Sequence, residues 1–238
     1  MKNINNGDLS FHVGHRERLR QKFLDGHLAD YELLELLLSS AIPRRDVRPL
    51  ARGLMQKFGG LYPIITAPIE ILMEYPGLGR NTAIFIKSVH QIMLTAYRCD
   101  LGNQKIFHNE KNLTNYCILQ VGGKQVEEFH ILYLGHDYQL LADDLHSRGT
   151  TDWAMIYPRE ILKRALDLNA ESVLMLHNHP TPNMTFSEPD IKATELLERI
   201  LAPVGIKLHD HYLVSGGIVY SARNMFLLKH IGDVTDNF

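Results

Sequence analysis

The stretch from Ser172 to Pro180, Ser-Val-Leu-Met-Leu-His-Asn-His-Pro, restricts this chain more than any other. Ser172 to Leu176 reads as a continuous apolar run, the pattern of a strand buried in a sheet. Along an extended chain residues i and i+2 point the same way, so His177 and His179 leave the strand end on one side. A loop containing Pro180, Pro182 and Asn183 follows, and Ser187-Glu188-Pro189-Asp190 then opens an apolar-periodic helix through Ile191, Thr194, Leu197 and Leu201. Asp190 falls in the first turn, where the positive helix end favours its charge and lets it bend back toward the strand. Two imidazoles and a carboxylate are a donor set for Zn²⁺. Three protein ligands leave a fourth position for water, which is the arrangement of a catalytic rather than a structural zinc. The plainer reading of Ser187-x-x-Asp190 is a near capping box. The two readings are compatible, because a cap there fixes the direction of the Asp190 carboxylate.

Hydrolysis at such a site also needs a group that takes a proton from water. Glu127 and Glu128 both begin the strand-like segment that runs to Leu134, and they point to opposite faces, so only one can serve. The order Glu127, His177-x-His179, seven residues, Ser187, two residues, Asp190 resembles the JAMM/MPN+ metalloprotease motif. Tyr157-Pro158-Arg159-Glu160-Ile161, through Ala165-Leu166 and on to His177-Asn178-His179-Pro180, resembles more narrowly the bacterial RadC family. That resemblance implies Glu127 as general base, His177, His179 and Asp190 as ligands of one zinc ion per chain, and Ser187 as hydrogen-bond donor to the oxyanion. It also implies an MPN fold. The chain departs from the family in the loop after His179-Pro180. Relatives carry Ser-Gly-Asp-Pro-Thr-Pro where this sequence has Thr181-Pro182-Asn183-Met184-Thr185-Phe186, which predicts a more apolar rim formed by Met184 and Phe186.

The other histidines carry less. His209-Asp210-His211 repeats the i, i+2 spacing on another strand but lacks a following helix-borne carboxylate. Its residues read as structural, with Asp210 or His211 able to orient a ligand from behind. His130, His136 and His146 show no partner pattern, and Asp143-Asp144 reads as solvated.

At 238 residues the chain has room for two domains. Through Arg98 there are 13 Lys/Arg against 9 Asp/Glu, net +4; from Cys99 onward 12 against 18, net −6. The shift places domain limits at 1–98 and 112–238, with Asp100-Leu101-Gly102-Asn103-Gln104 as a linker. The polar start and the lack of a long apolar run predict a cytoplasmic protein with no membrane partner, and Cys99 and Cys117 as reduced thiols.

The first domain reads as all-helical: His15 to Leu24, a Leu-rich helix capped by Asp30, a helix capped by Asp46 and ended by Gly59-Gly60, and a short element at 69–73. Tyr75-Pro76-Gly77-Leu78-Gly79-Arg80 then leads into a further helix, and this resembles a helix-hairpin-helix motif. Gly77 and Gly79 permit close backbone approach, and the N–H groups of the next helix favour a phosphate. Arg80 and Lys87 add charge, making a sequence-nonspecific DNA contact. The second domain reads as α/β with a central mixed sheet. Together these features predict an α+β protein: a helix-hairpin-helix domain followed by an MPN domain acting as a zinc metallohydrolase on peptide or isopeptide bonds. The rival from another class is a DNA-binding accessory protein whose metal site is structural or inactive. A nuclease is disfavoured, since one His-His-Asp set lacks the carboxylates of a second metal.

Overall fold

A computed structural model describes residues 6–103, 110–136, 139–149, 157–181 and 183–225. Predictions that touch Gln104, Asp137 and Pro182 lie outside the described residues. The chain divides into two compact units, Met1–Gln91 and Ile92–Phe238, and the division falls within one long helix.

The first unit is helical: α1 (Asn6–Leu24), α2 (Asp30–Ala41), α3 (Arg48–Phe58), α4 (Leu61–Thr66), α5 (Ile69–Met73) and the start of α6 (Arg80–Asn103). Leu19, Leu34, Leu38, Leu54, Ile64 and Ile86 are fully buried, so the Leu-rich periodicity of α2 and α3 does face a core. The caps differ from expectation by one position. Asp30 is the first helical residue of α2, behind Ala29, and Glu32 reaches back to the Ala29 N–H at 3.1 Å. Asp46 lies one residue before the Val47 cap of α3 and accepts from the Arg48 N–H at 3.0 Å. Gly59 ends α3 at φ 83°, a backbone angle that a side chain would strain.

Four of the five residues of the predicted linker are helical instead. Asp100–Asn103 continues α6, because Leu101 is buried against the sheet of the second unit and that burial outweighs the loop-like Gly102-Asn103.

In the second unit come α7 (Glu110–Val121), β1 (Glu128–Leu134), β2 (Leu140–Arg148), α8 (Pro158–Asp167), β3 (Ser172–Asn178), α9 (Glu188–Leu201), β4 (Lys207–Ser215) and β5 (Ile218–Ser221). The sheet order is β2-β1-β3-β4-β5; only β3 and β4 run parallel, joined through α9. This is a mixed sheet, and the whole chain is α+β. One face carries Phe129, Ile131, Val173, Met175 and Leu213 against α8 and α9. The other carries Leu132, Leu174, Leu176 and Tyr212 against α7 and the end of α6. A sheet covered on both sides explains why all seven residues of β3 are buried, the burial its apolar run requires. Cys99 is exposed, Cys117 is buried, and no disulfide joins them. Among the described residues, no helix is long and apolar enough to cross a membrane.

Candidate metal centre

His177 and Asp190 are fully buried, and His179 sits at the edge of the same pocket with 8 % of its side chain exposed. The end of β3 supplies the two histidines and the first turn of α9 supplies the aspartate. One ligand atom from each lies within 4.8 Å of the other two. His177 Nε2 stands 3.5 Å from Asp190 Oδ1, and His179 Nε2 3.8 Å from Asp190 Oδ2. Two donors each about 2.0–2.1 Å from a tetrahedral ion lie roughly 3.3–3.5 Å apart, so only small movements separate this arrangement from a closed ligand set.

Ser187 is the N-cap of α9. Its hydroxyl accepts from the Asp190 N–H at 3.2 Å, while its own N–H and O–H donate to Asp190 Oδ2 at 2.6 and 2.7 Å. That reciprocal cap fixes one carboxylate oxygen. The other, Oδ1, is buried with no hydrogen-bond donor among the described residues and faces His177. A carboxylate oxygen stranded in this way is costly unless a cation completes it. Burial raises the Asp190 pKa, and the Ser187 bonds oppose the rise.

The proton positions on the buried histidines follow from counting donors. Thr194 Oγ1 donates to the Asp190 carbonyl at 2.7 Å and has no second proton, so it accepts from His211 Nδ1–H at 2.6 Å. His211 Nε2 is then bare and accepts from His177 Nδ1–H at 2.8 Å. The lone pair of His177 is thereby left on Nε2, on the Asp190 side, as a ligand requires. Burial, with His179 adding to it, lowers His211 to about 3; burial, His211 and His179 hold His177 well below the usual value, so both rings are neutral. His179 Nδ1–H donates to the Asn183 carbonyl at 3.1 Å, which leaves its Nε2 toward Asp190 as well.

His211 reaches this position through a bulge. Val173 pairs with Leu208 but Leu174 pairs with Asp210, so His209 is the extra residue. Leu208 and His211 therefore share a face that simple alternation would deny them. Asp210 meanwhile accepts from Ser221 and from the N–H groups of His211 and Arg223. Burial still raises its pKa, and burial and Arg223 lower His209 to about 4.

The two glutamates part as strand alternation demands. Glu128 is buried on the far face, 3.0 Å from Lys124, 3.2 Å from Arg148 and 3.5 Å from His130. Glu127 is half-buried and senses the site. Burial raises its pKa, the His179 charge opposes this, and the Asp190 charge adds to it. His130 and Asp143, which the sequence left unassigned and solvated, are buried together 2.8 Å apart, and Tyr116 donates to Asp143. In the divergent loop Asn183 takes the acidic position. Its side-chain oxygen accepts from Thr185 N–H and O–H at 3.1 and 2.8 Å. Phe186 is not a rim residue: it packs against the His177 and His211 rings and closes the pocket, whereas Met184 is exposed.

In the first unit Gly77 adopts φ 86° and a side chain there would meet the Arg45 guanidinium, while Gly79 has open space around it. Arg80 is exposed. Lys87 is engaged elsewhere, donating to the Ile65 and Thr66 carbonyls at the end of α4.

A sequence profile described as RadC-like JAB domain matches residues 107–227, the segment that holds every residue of the buried site. The chain belongs to the RadC family. A UPF0758 protein of Ruegeria pomeroyi is 37 % identical over 212 residues, covering 88 % of this chain and 95 % of that protein, so the likeness extends into the helical unit. The RadC-like fold thus presents a cluster of His177, His179 and Asp190 suited to a metal ion.

Proposed function

We propose that this RadC-family protein is a zinc-dependent hydrolase of the JAMM type, acting on peptide or isopeptide bonds in the cytoplasm. The observation that carries the reading is Asp190 Oδ1, buried with no donor among the described residues and 3.5 Å from His177 Nε2, beside two histidines whose outer nitrogens are already bonded. His177 Nε2, His179 Nε2 and the Asp190 carboxylate would hold the ion, which would supply Lewis acidity and a water of lowered pKa. Glu127, raised in pKa by partial burial, is the group that accepts a proton from water and returns it to the leaving amine. The Ser187 hydroxyl stabilises the developing oxyanion. Its proton can turn away from Asp190 Oδ2 without stranding that oxygen, because the Ser187 N–H holds it at 2.6 Å. Among the described residues β2 is an edge strand, and an extended peptide adding to it is the binding mode such a sheet supports.

The test is turnover of quenched peptide and isopeptide libraries by zinc-loaded protein. Cleavage by the parent and none by Glu127→Gln, with zinc retained by both, supports the proposal. Equal cleavage by the two contradicts it.

The exposed Arg80 and the Arg45 guanidinium beside Gly77 favour a second activity, weak contact of the helical unit with a DNA backbone. Duplex binding that weakens with salt and is lost in Arg80→Glu, with the Glu127→Gln protein binding normally, would support it. If binding survives while no substrate is cleaved, the accessory-protein reading replaces the hydrolase.

A further inference from the structure

Asn178 stands between the two candidate ligand histidines, is 1 % exposed, and spends both polar side-chain atoms on backbone groups. As the last residue of β3 its backbone lies opposite Val214 of β4. Toward β1 the backbone pairing of β3 stops one step earlier, with Phe129 opposite His177. The Asn178 side chain continues that pairing. Its Oδ1 accepts from the Glu128 N–H at 2.9 Å, and its Nδ2 donates to the Val126 carbonyl at 3.2 Å. A primary amide carries an acceptor and a donor as a backbone peptide does, so Asn178 stands in for the peptide that β3 no longer supplies. From the opposite side the Gly149 N–H donates to the Glu127 carbonyl at 2.8 Å. The residue enclosed by these three bonds is Glu127, which lies one position outside β1 and would otherwise fray with the strand end.

We infer that Asn178 is a positioning residue: by bonding the peptide groups on both sides of Glu127, it fixes where that carboxylate stands relative to His179 and Asp190. The inference rests on the reading of Glu127 as the proton acceptor. It explains why an amide suits the position between the ligands. Alanine would leave the Glu128 N–H buried without an acceptor, and aspartate would set an oxygen against the Val126 carbonyl. A displacement of about 1 Å in a group that must meet reacting atoms can cost on the order of 100-fold in rate, so a bond to backbone alone is enough to matter.

The experiment uses the full chain loaded with Co²⁺, whose visible spectrum responds to the ligands and charges around the ion. Parent, Glu127→Gln, Asn178→Ala and Asn178→Asp are compared at one pH, with amide exchange followed at Glu128. Glu127→Gln should alter the spectrum, and Asn178→Ala should alter it in the same direction while exchange at Glu128 accelerates. Co²⁺ affinity in Asn178→Ala should fall by less than about tenfold, below the usual cost of removing a partner of a ligand side chain. Asn178→Asp, which keeps the Glu128 bond, should lie between parent and alanine variant, and it carries the test alone if Asn178→Ala does not fold. A changed spectrum in Glu127→Gln with parental spectra in both Asn178 variants overturns the inference and leaves the role of Glu127 standing. A parental spectrum in Glu127→Gln overturns the Glu127 reading and the inference with it. A loss of affinity beyond tenfold in Asn178→Ala with an unchanged spectrum assigns Asn178 a merely structural role and also overturns the inference.

Discussion

Replacing Thr194 by valine keeps the side-chain shape and touches no ligand side chain, yet it should weaken zinc binding. The Thr194 hydroxyl donates to the Asp190 carbonyl and accepts from His211 Nδ1–H; that bond leaves His211 Nε2 to receive His177 Nδ1–H. Without the hydroxyl, His211 has two courses. It can keep its proton on Nδ1, buried and without an acceptor, at a cost of about 1–3 kcal/mol. Or it can move the proton to Nε2, facing His177, which must then carry its own proton on the nitrogen meant for the ion. Either course stands against metal binding, and the expected loss is about 10- to 100-fold, or about 1.4–2.7 kcal/mol. Competition for zinc against a chromophoric chelator at neutral pH measures it, with Thr194→Ser as the control that restores the hydroxyl. Parental affinity in Thr194→Val, or an equal loss in Thr194→Ser, would refute the tautomer argument.

Three further outcomes follow from the same contacts. Ser187→Ala removes the N-cap of α9 and should lower stability by about 1 kcal/mol in urea denaturation, and zinc affinity should fall because Asp190 Oδ2 loses one of its two donors; unchanged stability would mean the cap is idle. The metal-free protein should lose stability as pH falls below about 6.5, because His177 and His211 stay neutral when folded but take up protons when unfolded. The unfolded chain binds more protons in that window, so stability rises with pH by up to about 1.4 kcal/mol per unit for each histidine. The raised Asp190 works in the opposite sense, and His211→Gln should flatten the profile; an equally steep profile in that variant contradicts the assignment. Lys87→Met should destabilise the helical unit by about 1–3 kcal/mol by leaving the carbonyls at the end of α4 without their donor, as thermal denaturation would show.

Much of the second unit was legible because its strands obey simple rules. β3 is uniformly apolar and doubly covered, and α9 announces itself through Ser187, Pro189 and its apolar spacing. Strand alternation alone separated the faces of Glu127 and Glu128. What escaped depended on tertiary context. α4 is six residues long and contains Pro63, too short to show a helical period. Asp143 beside Asp144 looks like a wet acidic pair, but in a strand the two diverge, and Asp143 turns inward to His130 and Tyr116. The bulge at His209 leaves no local signal, so the sequence could name His211 as a supporting residue but not show how it comes under His177. The sequence assigned Asn178 no role, because its bonds to residues 126 and 128 join segments some fifty positions apart.

The proposed hydrolytic activity depends on β3 and the start of α9 building one metal site. Crystals grown with Zn²⁺ and measured on both sides of the zinc absorption edge test it most directly. An anomalous peak bounded by His177 Nε2, His179 Nε2 and the Asp190 carboxylate is expected, and it should disappear in Asp190→Asn. Zinc bound elsewhere, with those three side chains still apart and the pocket between them without density, would contradict it.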